Sequence, residues 1–158
     1  MNFTIEQVAK VNTVYFRRTG AFDGESNKQL MEQLKSWAED HQLLADATIL
    51  GIPQDDPATT AKEACRYDVC LVVEDNVEVE LPAQTGFFEG GTFAVFQLEH
   101  TEQAISAFWN NLDQVIEREQ LVVAQRPIVE RYTKDLLKKH RCELLIPLLP
   151  SNCSLGSS

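Results

Sequence analysis

TFAVFQLEHTEQAISAFWNNLDQVI, residues 92–116, carries the reading that decides the fold. Residues 92–98 are rich in aromatic and branched types, which reads as a strand opened by the break at Gly90-Gly91. Thr101 then stands as a helix N-cap, with Glu102 in the first turn, where the helix dipole favours an acid. Ile105, Phe108, Trp109, Leu112, Val115 and Ile116 recur at helical spacing and make one apolar stripe. Downstream, residues 121–132 lead through Pro127 into a strand, IVERY. Residues 133–141, TKDLLKKHR, are a polar connection with room for a helical turn, and 142–149, CELLIPLL, read as a last strand. The order is strand, helix, strand, strand.

The first half repeats that order. Residues 11–18, VNTVYFRR, read as a strand. TGAFDGES follows as a loop, and Ser26 with Gln29 has the spacing of a capping box. Leu30, Leu34, Trp37, Ala38 and His41 then share one helix face. ATILGI (47–52) is a second strand, PQDDPATTAKEA (53–64) a polar loop, and RYDVCLVVE (66–74) a third strand. On that third strand Tyr67, Val69, Leu71 and Val73 take one face, with Asp68 and Cys70 on the other. Two such halves pack most simply as an α+β domain: an antiparallel sheet with both helices on one face. Each helix has a single apolar stripe, which must cover the sheet. The opposite face is then left to water or to a ligand. The chain reads as one domain over 1–150, with 151–158 a disordered tail.

Bulk properties narrow the function. The chain has 158 residues, long enough to bury a core without metal or disulfide help. Its formal charge of −10 disfavours direct contact with nucleic acid and favours cationic ligands or basic partner surfaces. No apolar run approaches the roughly 18 residues of a membrane span, and the N-terminus lacks the pattern of a signal peptide. A cytoplasmic protein is expected. Cys65, Cys70, Cys142 and Cys153 fit no zinc or redox spacing, and Cys70 and Cys142 lie in apolar runs as buried thiols. His41, His100 and His140 are scattered, and no phosphate-binding loop or zinc-protease motif is present. No metal or cofactor is expected. Asp55-Asp56-Pro57 is a turn signature.

Glu130 is the most informative residue. Alternation along IVERY puts Ile128, Glu130 and Tyr132 on one face. A carboxylate between an apolar and an aromatic side chain suits a partly dry cleft that receives a cation or a hydrogen-bond donor. A solvated face, with Glu130 paired to Arg131 or Lys134, is the other reading. Trp37 and Trp109 lie on apolar stripes, as core or as cleft walls, and Tyr15, Phe16, Tyr67, Phe93 and Phe96 are further aromatic candidates. Aromatic faces beside a carboxylate attract flat cations.

Six segments in order are YFRRTG (15–20), the helix bearing Trp37, GIPQDDP (51–57), RYDVCLVV (66–73), GGTFAVF (90–96) and RPIVERY (126–132). Together with the terminal LLIPL, this pattern resembles the GyrI-like small-molecule-binding family, the unit found as effector-binding domain of AraC-type and multidrug-responsive transcription regulators. The resemblance covers about residues 8–150 and implies two strand–helix–strand–strand modules related by a pseudo-two-fold, with a ligand cleft between them. It implies that Glu130, with Tyr132 beside it, is the acidic residue that meets cationic compounds; Trp37, Trp109, Tyr15, Phe96 and Tyr67, read from the residues themselves, complete the candidate ligand wall. It also implies a stand-alone form that binds a small hydrophobic, cationic organic molecule and does not read DNA by itself. Two further roles are implied by relatives: hydrolysis of strained natural products, in which Glu130 would handle water, and gyrase modulation through a protein partner. Gly20-Ala21-Phe22 and VIEREQLVV depart from the family's usual Gly-Pro-Tyr and Trp-Leu-Pro stretches.

Overall fold

The computed structural model describes residues 2–21, 24–56, 58–74 and 77–149; Phe22, Pro57, Cys153 and the stretch read as a tail lie outside the described residues. The first half contains strands β1 (Thr4–Val8) and β2 (Val11–Thr19), helix α1 (Gly24–Asp40), and strands β3 (Thr48–Pro53) and β4 (Arg66–Val73). The second half contains β5 (Gln84–Phe88), β6 (Gly91–Glu99), helix α2 (Glu102–Arg118), β7 (Val129–Thr133), the short helix α3 (Lys134–Lys138) and β8 (Arg141–Leu148). Thr101 caps α2 as its side chain predicts, accepting a hydrogen bond from the Ala104 backbone N–H at 3.1 Å. Ser26 does not cap α1: the helix begins at Gly24, and Ser26 lies inside its first turn.

All eight strands form one curled antiparallel sheet in the order β1-β6-β8-β7-β3-β4-β2-β5. Exchanging each strand for its counterpart (β1 for β5, β2 for β6, β3 for β7, β4 for β8) gives the same order read backwards. This is the pseudo-two-fold that the duplicated pattern implies. The two modules meet where β3 pairs with β7, with Gly51 opposite Glu130.

The edge strands β1 and β5 went unread in the sequence. Each precedes one module but pairs with the other: β1 joins β6, and β5 joins β2. The two connections therefore cross at residues 9–10 and 89–90. Gly90, at φ +77°, sits in this crossing, where a Cβ would run into the carbonyl oxygens of Val8 and Ala9. Only glycine fits such a contact in that backbone region.

The helices cover one face. Leu30, Leu34 and Ala38 of α1, and Phe108, Leu112 and Val115 of α2, are buried in the main core against Val14, Val69, Phe96 and Leu144. The opposite face corrects an expectation, because it is not left bare to water. It holds a second buried cluster that includes Leu50, Ile52, Phe88, Phe93, Val129 and Leu145. The curl brings Phe88 and Phe93 to 5.9 Å between ring centroids. Ion pairs lie on this face too: Arg17 with Asp68 at 2.7 Å, and Arg131 with both Glu6 and Glu143 at 2.8 Å.

Candidate functional site

Strand alternation on β7 sends Arg131 to the ion-paired face and Glu130 to the helix side. Glu130 consequently pairs with neither Arg131 nor Lys134. One carboxylate oxygen accepts a hydrogen bond from the Tyr67 hydroxyl at 3.0 Å, and the other accepts from the Tyr132 hydroxyl at 2.8 Å. Both rings are buried, at 5% and 8% exposure, so these donors are fixed.

Tyr132 is two residues from Glu130 on the same strand, but Tyr67 belongs to β4, with β3 lying between β4 and β7. Two strand spacings amount to about 9.5 Å. The tyrosine side chain covers that gap by passing over Gly51. A Cβ on Gly51 would lie 2.5 Å from the Tyr67 hydroxyl oxygen and 3.1 Å from Glu130 Oε1. Glycine inside a strand commonly marks such a close approach.

Burial first, and then the charge of Glu130, push both phenols far above the ordinary tyrosine range. They remain neutral donors throughout the physiological range. The same causes, in the same order, raise the Cys142 thiol to about 11, which leaves it unreactive. No basic side chain among the described residues lies within ion-pair distance of Glu130. Two neutral donors hold the carboxylate, and its oxygens can accept more hydrogen bonds than these two. It faces a cavity of about 420 Å³, lined also by Asn27, Lys28 and Met31 of α1, by His100 and by Leu137. That size lies within the range of small-molecule sites.

The raised phenols carry a pH signature. In the unfolded chain tyrosine ionises near pH 10, whereas in the folded protein Tyr67 and Tyr132 resist ionisation. Their contribution to stability is complete below that pH and is lost as pH rises above it, because only the unfolded state releases the protons. Urea midpoints measured from neutral pH upwards should fall beyond about pH 10. A double Tyr67→Phe, Tyr132→Phe variant should show a shallower fall; an equal fall would count against these two groups as its source.

Of the seven ligand-wall candidates, the structure brings together Glu130, Tyr132 and Tyr67. The other four stand elsewhere. Phe96 is fully buried in the core between Phe3 and Phe108, with both centroid distances 5.2 Å. Tyr15 is on the opposite face and donates to Gln84 at 3.3 Å. Trp37 stacks on His41 at 4.2 Å beside a groove of about 900 Å³ formed with residues 77–82 and Thr85. Trp109 is 46% exposed in a groove of about 780 Å³ with Pro53, Gln54 and Arg126. Both grooves are larger than the Glu130 cavity, but neither presents a partly buried carboxylate held only by neutral donors. Gly51, His100, Met31 and Leu137 were not read as site residues; the glycine inside the apolar strand ATILGI was the one available signal.

Residues 1–149 match the model of a family described as the GyrI-like small molecule binding domain. The chain is 45% identical, over 94% of its length and 99% of the relative's, to the SPbeta prophage-derived protein YosT of Bacillus subtilis (strain 168), named as a candidate transcriptional regulator. Its fold is similar to that of SAV2435, solved bound to tetraphenylphosphonium, with a TM-score of 0.62 at 17% identity over 97% of each chain. It is also similar to the C-terminal domain of EcmrR, with a TM-score of 0.68 at 11% identity over 94% of this chain and 97% of that one.

Proposed function

The chain belongs to the GyrI-like small-molecule-binding family, and from that premise we propose that it holds a hydrophobic organic cation in the cavity between α1 and the module junction, against Glu130. The observation that carries this reading is the state of that carboxylate: partly buried, fixed by two neutral phenols and, among the described residues, matched by no cation within ion-pair distance. A buried charge without a partner is costly, and a cationic ligand lowers that cost while its apolar body covers Tyr132, Met31 and Leu137. Tyrosine faces beside a carboxylate add the attraction of ring quadrupole for cation. The tetraphenylphosphonium bound to SAV2435 is a ligand of this class.

In this reading the protein is a sensing or sequestering domain. Each Glu130 oxygen already accepts a phenolic proton, which suits a fixed anionic acceptor better than a group that must collect protons from water. Calorimetric titration with tetraphenylphosphonium and with the neutral triphenylphosphine oxide tests the charge requirement. The expected result is saturable binding of the cation, at least about tenfold tighter than the neutral compound, with the ligand recovered unchanged by chromatography. Equal affinity for both compounds would remove the role of charge, and a chemically altered ligand would move the reading to an enzyme.

The tyrosine donors give a second expectation. Tyr132→Phe removes a hydrogen bond to a carboxylate and should cost about 2 kcal/mol, read from the urea midpoint. A cost near zero would mean that water replaces the donor without penalty.

A further inference from the structure

Beside the Glu130 cavity, whose lining mixes Glu32 and Glu130 with Lys28 and Lys35, lies a second space of about 540 Å³ whose charged lining is all basic. Its floor is apolar, made by Leu44, Ile49 and Leu137 with two alanines, and Tyr132 forms part of the wall. Its rim carries Lys35 from α1 and Lys134 and Lys138 from α3, and no carboxylate lines it. The two spaces share Lys35, Tyr132 and Leu137, so they are neighbours along one wall.

This concentration of positive charge runs against the whole molecule, which has 14 basic residues against 24 acidic ones. Several arginines elsewhere are paired with carboxylates: Arg17 with Asp68, Arg66 with Asp55, and Arg131 with Glu6 and Glu143. The three rim lysines make no ion pair among the described residues. Their position is set by the fold. The connection from β7 to β8 is the short helix α3, which presents Lys134 and Lys138 one turn apart, and α1 crosses opposite them with Lys35.

We propose that this space is a second ligand site, for a soluble amphiphilic anion: an aromatic or aliphatic body on the Leu44–Ile49–Leu137 floor and a carboxylate among the three lysines. It does not depend on Glu130. The volume suits a bicyclic or medium-sized body, and an ammonium group meets a carboxylate with charge-assisted hydrogen bonds. Three lysines without an acid disfavour a cation here, whereas in the neighbouring cavity Glu130 and Glu32 offset Lys28 and Lys35, so the two sites differ in the charge they favour.

The test pairs naphthoate with naphthylmethanol, which differ in charge but share the ring body, and follows the methyl resonances of Leu44, Ile49 and Leu137 during titration. Naphthoate should shift those resonances saturably and bind about tenfold tighter than the alcohol at low ionic strength. Replacing Lys134→Gln and Lys138→Gln, which line this space and not the Glu130 cavity, should remove most of that preference while leaving the urea midpoint unchanged and tetraphenylphosphonium binding within about twofold. Glu130→Gln should do the reverse, weakening the phosphonium and sparing naphthoate. Equal binding of naphthoate and the alcohol would overturn the proposal, as would a preference for naphthoate that survives loss of Lys134 and Lys138 or naphthoate binding that shifts resonances elsewhere. Failure of tetraphenylphosphonium to bind, with naphthoate behaving as stated, would instead count only against the Glu130 reading.

Discussion

Glu130→Gln should lower affinity for tetraphenylphosphonium by about thirtyfold and change that for triphenylphosphine oxide by no more than about twofold. The figure comes from Coulomb's law. A cation centre about 5 Å from a carboxylate, at an effective dielectric constant near 20, gains about 3 kcal/mol, and partial solvent access brings this to about 2 kcal/mol. Glutamine keeps the shape of the side chain and still accepts from one of the two phenols at its carbonyl oxygen. The other phenol then meets an amide NH₂ and must turn its own proton elsewhere. That local rearrangement affects both ligands alike, so the contrast between them isolates the charge. Isothermal calorimetry on the two proteins with the two ligands gives a double-difference cycle. An equal loss for cation and neutral compound would show that the residue shapes the cavity without using its charge.

How far the site can be read from the sequence depends on which geometry each residue needs. Glu130 and Tyr132 require only strand alternation, and IVERY states it outright. Assigning Arg131 to the other face follows from the same rule, although its partners Glu6 and Glu143 come from β1 and β8 and could not be read locally. Tyr67 is harder. Its facing is legible from RYDVCLVV, but its meeting with Glu130 depends on β3 lying between β4 and β7, and sheet order is not a local property. The tryptophans show the limit of stripe reasoning. Helical periodicity says that Trp37 and Trp109 face inward, not which end of each helix overlies the module junction. Met31 lines the Glu130 cavity, and Trp37 is six residues further along α1, about 9 Å away, where it meets the 77–82 segment instead. The edge strands went unread for a different reason. β1 (TIEQV) has no buried residue and β5 (QTGFF) buries only Phe88, so neither has the run of buried apolar residues that marks an inner strand. Their exchange between modules is a property of the duplicated whole.

Gly51→Ala should cost about 2–3 kcal/mol of stability and weaken tetraphenylphosphonium binding at least about tenfold. The added methyl would come within 2.5 Å of the Tyr67 hydroxyl oxygen, closer than a carbon and an oxygen can approach, and within 3.1 Å of Glu130 Oε1. One of the two must move. The backbone cannot yield easily, since Gly51 is paired to Val69 on one side and to Glu130 on the other. The Tyr67 ring is buried, with Val69 and Leu71 following on the same strand face, so displacing it opens the core. Displacement also breaks its hydrogen bond to Glu130, leaving that carboxylate with Tyr132 alone. A second substitution separates the two costs. Tyr67→Phe in the Gly51→Ala background removes the hydroxyl that the methyl collides with, so it should recover about half of the lost stability by urea unfolding. In an otherwise unchanged protein the same Tyr67→Phe substitution should be destabilising, since it removes a donor to a carboxylate. A change of sign between the two backgrounds is the signature of a tyrosine reaching its acid across a strand that must have no side chain. If Tyr67→Phe destabilises both proteins equally, Gly51 is not the residue that lets the two modules share this carboxylate.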